Sequence, residues 1–150
     1  MKKVFWAVPL IVIMVVLFLI WFPTEERMLK SDIHSLRKAV ESESVDRVME
    51  YIDLQYLDDD NLTRDDITAL IGQFFMEVDS IRVQIGRIEL EIDSTSKDKT
   101  IFASCSLGVR VLARYEGERV LAYGGLVRPG TVRASFKKTG DKYKIYYAKY

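Results

Sequence analysis

An uninterrupted apolar run opens the sequence. Val4 to Phe22 holds 19 consecutive residues without a formal charge, and Pro9 is the one residue in it that disfavours a helix. A helix of that length, at about 1.5 Å per residue, is roughly 28 Å long, close to the hydrocarbon thickness of a bilayer. Trp6 and Trp21 lie near its ends, where amphipathic rings prefer the membrane–water boundary. The pattern predicts a transmembrane helix over residues 4–22.

Apolar residues then recur at helical spacing in three segments. Thr24 is a predicted N-cap for a helix over residues 25–41, and Ser44 is a predicted N-cap for a second helix. Thr63 and Asp66 resemble a capping box that opens a third helix. The predicted inward stripes are Leu29, Ile33, Leu36 and Val40 on the first helix, Val45, Val48, Met49 and Ile52 on the second, and Ile67, Leu70, Ile71 and Phe74 on the third.

From Ile81 onward the apolar residues alternate with polar ones, which predicts strands. The alternation slips by one residue at Gly86-Arg87, and this slip predicts a β-bulge that bends the strand. Residues 94–99 and Glu116-Gly117 are predicted turns. The segment from Val120 to Thr131 alternates weakly and is broken by glycines and a proline, so a strand and a loop both stay open there. The other predicted strand faces carry Ile101, Ala103, Cys105, Leu107, Val109 and Val111, then Val132, Ala134 and Phe136, then Tyr143, Ile145 and Tyr147.

The composition excludes several classes of function. Without its first 23 residues the chain keeps 127, enough for one domain with a hydrophobic core, predicted over residues 24–150. That part carries 20 basic and 22 acidic side chains, a balance that gives no reason to expect a nucleic-acid partner. Cys105 and His34 are the only residues of their types, so no intramolecular disulfide or cysteine-pair zinc site exists. We predict no metal and no cofactor.

The residues beside the apolar run bear on membrane topology. A cleaved signal peptide would need small residues at its end, whereas the run closes with bulky ones, so we favour an uncleaved anchor. Lys2 and Lys3 favour a cytoplasmic tail over residues 1–3, although basic residues from Arg27 to Lys38 oppose this orientation. We therefore predict a single-pass inner-membrane protein whose C-terminal domain is extracytoplasmic, or periplasmic.

Three helices followed by a bent antiparallel sheet form an α+β order, with the helices packed on one face of the sheet. From Leu29 to Tyr150 this order resembles the nuclear transport factor 2-like superfamily, a cystatin-like α+β cone with an open-ended cavity. The resemblance rests on LKSDIHSLRKAVES, VDRVMEYID, YLDDDNLTRDDI and ASFKKTGDKYKIYYAKY. It implies the fold but no single activity, because the superfamily includes isomerases, dehydratases, ligand binders and scaffolds. The layout of anchor plus domain is also similar to bitopic inner-membrane scaffold subunits of type IV secretion systems.

Candidate chemistry is sparse. The acidic cluster of Asp58, Asp59, Asp60, Asp65 and Asp66 lacks the EF-hand glycine and glutamate. A solvated turn that ends the second helix, followed by a helix N-cap, is therefore favoured over a calcium site. An isomerase would need a carboxylate and hydrogen-bond donors together, and Asp53, Tyr51 and Tyr56 are the nearest candidates. A helix end and core tyrosines explain them more simply, so no catalytic residue is predicted. His34 is predicted to be partly exposed, and the thiol of Cys105 to be buried and inert.

The helical and strand patterns together predict which side chains face into the cone. An apolar ligand could occupy it, or large side chains could fill it. The predicted lining is Met49, Ile52, Tyr56, Phe74, Cys105, Leu107, Phe136 and Ile145.

Charge is divided along the chain. Residues 41–66 carry ten acidic side chains against two basic ones, and residues 133–150 carry six basic side chains against one acidic one. Two solvated faces would explain this division, and so would a docking surface for another protomer, a membrane protein or anionic lipid. The predicted interaction surface is Lys137, Lys138, Lys142 and Lys144.

These observations favour a membrane-anchored, non-enzymatic interaction or assembly module, in contact with the lipid bilayer and with a homo-oligomeric or membrane-protein partner. The alternative is a membrane-tethered binder of an apolar small molecule or lipid. An isomerase-type or hydrolase-type enzyme is a third, weaker hypothesis.

Overall fold

The computed structural model describes residues 7–21, 24–93, 98 and 100–150. The Lys2-Lys3 flank, both ends of the apolar run and most of the predicted turn at residues 94–99 lie outside the described residues. The described elements are α1 (Ala7–Trp21), α2 (Glu25–Glu41), α3 (Val45–Met49), β1 (Ile52–Asp58), α4 (Arg64–Glu77), β2 (Asp79–Asp93), β3 (Phe102–Tyr115), β4 (Glu118–Tyr123), β5 (Gly130–Thr139) and β6 (Lys142–Lys149).

Helix α1 covers 15 residues of the predicted 4–22 run. Its side chains from Ile11 to Phe18 are between 47% and 63% exposed, so their apolar surface is largely uncovered. Among the described residues, no helix combines the length and apolarity that crossing a membrane requires. The membrane span over residues 4–22 stays a prediction.

The three predicted helix starts are confirmed by their caps. The Thr24 hydroxyl accepts a hydrogen bond from the Arg27 N–H, and Ser44 caps α3 in the same way. Thr63 and Asp66 form the reciprocal capping box that their spacing predicts. Each cap satisfies backbone N–H groups that have no partner within the first turn of the helix.

The predicted second helix is too long, and the predicted antiparallel sheet is in fact mixed. Helix α3 ends at Met49, and Ile52 begins β1, which runs parallel to β6. The Ile145 N–H donates to the Tyr51 carbonyl at 2.8 Å, so the chain leaves the helix to pair with the distant strand β6. A parallel partner some 90 residues away gives no local signal, and short apolar runs fit helix and strand alike.

The sheet has six strands, five of them in the order β1-β6-β5-β3-β2, and β4 pairs with the C-terminal part of β3. The register of β2 against β3 shifts between Ile85 and Ile88, which confirms the bulge predicted at Gly86-Arg87. The open segment from Val120 to Thr131 forms the end of β4, a tight turn and the start of β5.

The core lies between α2 and one face of the sheet, which we call the inner face. Strand β3 presents Ala103, Cys105 and Leu107 on this face, as the alternation predicts, and its intervening residues lie on the outer face. Leu29 and Ile33 of α2 are buried against them. The remaining buried members of this core are Met49, Ile52, Tyr56, Ala134, Phe136, Tyr143, Ile145 and Ala148.

Helix α4 departs from the predicted inward packing. It contacts β1 and α3, and it has no buried residue. Ile67 and Ile71 pack against the core, but Leu70 is 49% exposed, so its predicted inward position is wrong. The helix covers the β1 edge instead of the centre of the sheet, and only part of its apolar stripe therefore has a surface to cover.

Candidate interaction surface

The predicted cone lining is packed as core. Seven of its eight residues belong to the single buried cluster: Met49, Ile52, Tyr56, Cys105, Leu107, Phe136 and Ile145. Phe74 is half-buried on α4, where its ring lies 6.1 Å from that of Phe75. Burial raises the pKa of the Cys105 thiol to about 11, which agrees with a buried and inert thiol. These side chains therefore pack as part of the hydrophobic core.

The three catalytic candidates make separate contacts. Asp53 is buried, and it accepts hydrogen bonds from the Gln55 N–H at 2.9 Å and the Lys137 ammonium at 3.3 Å. The Lys142 ammonium lies 5.3 Å from the centre of the Tyr51 ring. Burial, with the nearby charge of Asp58, raises the pKa of Tyr56 to about 12. None of the contacts among the described residues joins the three into an acid–base group.

Asp58 is buried instead of lying in the predicted solvated turn. Its carboxylate accepts hydrogen bonds from the backbone N–H groups of Asp60 and Leu62 and, at 2.7 Å, from the Tyr150 hydroxyl. Burial alone would raise the pKa of Asp58, but these donors outweigh it and hold the pKa below its ordinary value. The carboxylate therefore ties the end of β1 to the residue after β6, as a structural group. Its neighbour Asp60 is exposed, as predicted for the turn.

Three of the four predicted interaction lysines have carboxylate partners in the same domain. Lys137 pairs with Asp53, Lys138 with Glu25 at 2.8 Å, and Lys142 with Glu50 at 2.8 Å. We call this region, around the β5–β6 turn, the lysine end. The division of charge along the sequence becomes proximity in space, because acidic β1 lies beside basic β6. Whether Lys137, Lys138, Lys142 and Lys144 also contact a partner stays a prediction.

A buried tyrosine organises the lysine end. Tyr143 is fully buried, and its hydroxyl donates to Glu25 at 2.7 Å while its backbone N–H donates to Asp32 at 2.8 Å. The hydrogen bond from Lys138, with a further contribution from Tyr143, holds the pKa of Glu25 below its ordinary value. Burial, together with the hydrogen bond to Glu25, raises the pKa of the Tyr143 hydroxyl. Glu25 and Asp32 of α2 therefore both accept hydrogen bonds from Tyr143, and these bonds hold α2 against β6.

The opposite end of the sheet carries arginines on its outer face. Arg114 of β3 lies directly across from Arg119 of β4, and Arg82 of β2 lies across from Leu112 of β3. Together with Ser80 and Gln84, these arginines line an open groove of about 600 Å³. We call this region the arginine end.

A tight loop between β4 and β5 adds an apolar tip to the arginine end. The Arg110 guanidinium donates to the carbonyl oxygens of Gly125 and Leu126, both at 3.0 Å, and it also contacts Gln84. The Gly125 N–H closes the loop on the Arg128 carbonyl at 2.8 Å. Leu126 and its neighbour Val127 remain 83% and 91% exposed, so the loop displays two apolar side chains beside the arginine groove. We call these two residues the loop tip.

The loop requires a glycine at its first position. Gly124 has φ +84°, and a Cβ there would lie 2.7 Å from the Val109 carbonyl oxygen and 3.0 Å from the Gly130 nitrogen. A side chain would therefore force the loop away from β3. The backbone conformation of the loop therefore determines the exposed position of Leu126 and Val127.

The arginines at this end are not neutralised by partners. Within the part of the chain that the structure describes, Arg82, Arg114, Arg119 and Arg128 have no carboxylate within ion-pairing distance. Carboxylates do occur nearby, on Asp79, Glu116 and Glu118. Two further carboxylates lie at or just after the end of α2. Glu41 and Glu43 accept hydrogen bonds from the backbone N–H groups of Val83 and Ile81, respectively.

The arginine end is not among the surfaces predicted from the sequence. Its basic residues are spread from position 82 to position 128, and no window of the sequence is rich in them. The available signal was the spacing of Arg110, Leu112 and Arg114 on the polar face of β3, next to the turn at Glu116-Gly117. Two strand pairings, with β2 and with β4, bring the other arginines to that face.

Comparisons with known proteins identify the fold. No family model matches this sequence, and no curated protein sequence matches it. A candidate scytalone dehydratase from Novosphingobium aromaticivorans is similar in structure, with a TM-score of 0.65, 14% identity, and coverage of 83% of this chain and 80% of that one. A protein of unknown function from Mycobacterium tuberculosis also has a TM-score of 0.65, at 10% identity, with coverages of 83% and 69%.

A third similar structure belongs to a larger protein. The helical cell shape determining protein Pgp2 from Campylobacter jejuni matches with a TM-score of 0.59 and 11% identity, over 81% of this chain and 39% of that one. Identities this low show the fold alone. With helices packed on a mixed sheet, the chain has the nuclear transport factor 2-like fold.

Proposed function

We propose that this protein is a membrane-anchored, non-enzymatic interaction module that docks a partner through the arginine end of its nuclear transport factor 2-like domain. The observation that carries the proposal is the contrast in pairing between the two ends. Three of the four lysines at one end are matched by carboxylates, whereas arginines at the other are unmatched and lie beside an exposed apolar tip. Unpaired guanidinium groups beside exposed apolar side chains are typical of surfaces that bind another molecule or a membrane.

The membrane anchor in this proposal is the apolar run over residues 4–22. Its support is the length of the run, its lack of charge and the largely uncovered side chains of α1. The Lys2-Lys3 flank supports a cytoplasmic N-terminus, so the domain would stand on the extracytoplasmic side. A C-terminal alkaline phosphatase fusion should then be active in bacterial cells. A dead phosphatase fusion beside a fluorescent cytoplasmic reporter fusion would reverse this topology.

The non-enzymatic part of the proposal rests on the interior. The predicted cone lining packs on itself, and the buried carboxylates Asp53 and Asp58 are held by neighbouring donors. A lining that packs as core also favours the interaction module over a binder of an apolar small molecule. The fold does not decide between these functions, since a candidate dehydratase and a cell-shape protein share it.

Site-specific photo-crosslinking in cells tests the docking surface. Benzoylphenylalanine in place of Leu126 should give adducts with a partner when cells are irradiated. Leu54 is the matched control, because it is equally exposed, at 81%, but lines a groove at the lysine end with Lys137 and Lys138. Adducts from position 126 that are weak or absent at position 54 would support the proposal. Equal yields at the two positions, or none at position 126, would overturn it.

A further inference from the structure

We infer that the arginine end binds the anionic headgroups of a phospholipid bilayer, with the loop tip inserted among the lipids. This inference rests on the proposed function, because it names the partner of the same docking surface. Its two components are the groups that bind phosphate and the groups that enter the apolar layer.

The guanidinium groups supply the headgroup contacts. Arg82, Arg114 and Arg119 line one groove, and the guanidinium group of each has no hydrogen bond or ion pair among the described residues. Guanidinium binds phosphate oxygens through a planar fork of donors, and it is more weakly hydrated than an ammonium group. Arg114 and Arg119 also face each other as like charges across the β3–β4 ladder. A phosphate bound between the two guanidinium groups would reduce that repulsion. The groove is therefore suited to binding an anion.

The loop tip supplies the apolar contact. Leu126 and Val127 project from a loop whose carbonyl oxygens are already bound by Arg110 and whose ends are closed by the Gly125–Arg128 hydrogen bond. Because the loop is held before binding, insertion orders little additional backbone. Adjacent arginines can remain at the headgroup level while the two side chains enter the interface between headgroups and acyl chains.

A bilayer fits this surface better than a protein does. A stable protein interface buries about 800 Å² on each partner and has an apolar core. Here the apolar part is two exposed side chains on one loop, and the nearby groove is lined by three arginines. Binding to a lipid surface does not require a partner of complementary shape. The affinity of the domain for an anionic surface rises with each arginine that comes close to it. An acidic protein segment is the competing partner, and the test below separates it from lipid.

The placement of the arginine end shapes the assay. Helix α2 begins at the lysine end, where Glu25 contacts Lys138, and it ends beside β2, where Glu41 contacts Val83. Seventeen helical residues separate the two ends by about 25 Å. The apolar run precedes α2 and so joins the domain at the lysine end. Anionic headgroups should therefore be offered on a separate bilayer.

The test is capture of vesicles by the full chain in nanodiscs of neutral phosphatidylcholine. Labelled vesicles contain phosphatidylcholine alone or with about 30% phosphatidylglycerol, a mixture that makes the surface negative. We expect capture of the anionic vesicles only, weakening as salt rises from about 50 to about 500 mM. Replacing Arg82, Arg114 and Arg119 by Gln should weaken capture about a hundredfold, since each arginine near an anionic surface contributes roughly fivefold.

A charge-matched variant controls for net charge. Arg27→Gln, Arg47→Gln and Arg87→Gln together remove three positive charges that lie outside the groove, and this variant should keep capture within about threefold of the unmodified chain. Leu126→Asp with Val127→Asp should abolish capture without touching any arginine. Circular dichroism spectra that match the unmodified chain show that each variant is folded.

Several outcomes would overturn the inference. Equal capture of neutral and anionic vesicles would, as would capture that survives the three groove substitutions. Binding of poly-glutamate in the absence of vesicle capture would assign the surface to an acidic protein. That result, with adducts to a protein from position 126, would leave the proposed docking function intact. An absence of any adduct at position 126 would remove the docking function itself.

Discussion

The lysine end and the arginine end carry similar numbers of basic groups but use them differently. At the lysine end, Lys137, Lys138 and Lys142 meet Asp53, Glu25 and Glu50, and a fully buried tyrosine holds the same carboxylate as Lys138. At the arginine end, two guanidinium groups face each other across a strand pair. The lysines are paired with carboxylates of the same domain, whereas the two arginines have no such partners among the described residues and remain exposed to solvent.

This contrast shows that a cluster of charge is a docking candidate only when its counter-charges are not already supplied by the fold. The charge excess between residues 133 and 150 is large in the sequence but mostly matched in the structure. The arginine end has a smaller excess, yet its groups are available. Substitutions at the lysine end should therefore change stability, and substitutions at the arginine end should change binding.

The largest expected effect is at Tyr143. Tyr143→Ala removes a fully buried ring and leaves Glu25 with one donor fewer, so the free energy of unfolding should fall by about 3–5 kcal/mol. Tyr143→Phe keeps the ring and loses only the hydroxyl, which should cost about 1 kcal/mol. Urea titration of the full chain in detergent micelles, followed by circular dichroism, measures both. A loss below about 1 kcal/mol for Tyr143→Ala would mean that the lysine end is not what holds α2.

A smaller effect is expected at the glycine that begins the loop. Gly124→Ala must place a Cβ against the backbone of Val109 and Gly130 in a left-handed conformation, so it should cost about 2–3 kcal/mol. Gly117 is the matched control, since it has the same φ of +84° but open space around it, and Gly117→Ala should cost only about 1 kcal/mol. Gly124→Ala should also weaken anionic vesicle capture, because the loop tip shifts. Equal costs for both substitutions would show that the loop can move freely.

The smallest expected effect is a gain in stability at the arginine end. Arg119→Glu replaces a like-charge pair with Arg114 by an ion pair across β3 and β4, and the free energy of unfolding should rise by up to about 1 kcal/mol. Arg128→Glu introduces the same charge without an arginine directly opposite, and it should leave stability within about 0.5 kcal/mol. If Arg119→Glu destabilises the domain, the groove arginines have a structural role and the contrast between the two ends fails.

Much of the fold could be predicted from local patterns in the sequence. The caps at Thr24, Ser44 and Thr63 were predictable because each depends on residues within one helical turn, and the bulge after Ile85 was predictable from a change of phase. The strand β1 was not, because its partner is β6 and its short apolar pattern suits a helix equally well. Parallel pairing over this distance is decided by tertiary structure.

The candidate surface was harder to predict than the fold. A count of charges found the lysines but could not show that β1 would lie beside β6 and supply their counter-charges. The arginine end depends on three strands meeting and on one arginine, Arg110, that folds the loop over the outer face. Neither the meeting of strands nor that long-range clamp leaves a pattern in any short window of sequence.

The position of β6 has a consequence for how the domain is made. Strand β6 is the latest of the strands to be synthesised, yet it lies between β1 and β5 in the sheet. Until it emerges from the ribosome, β1 has no strand to pair with, Glu25 lacks the hydrogen bond from the Tyr143 hydroxyl, and Asp58 lacks the one from the Tyr150 hydroxyl. The growing chain therefore holds an incomplete sheet in which β1 and one edge of β5 are unpaired, and unpaired strands are prone to aggregate. Pairing of β6 with β1 and β5 then completes the sheet.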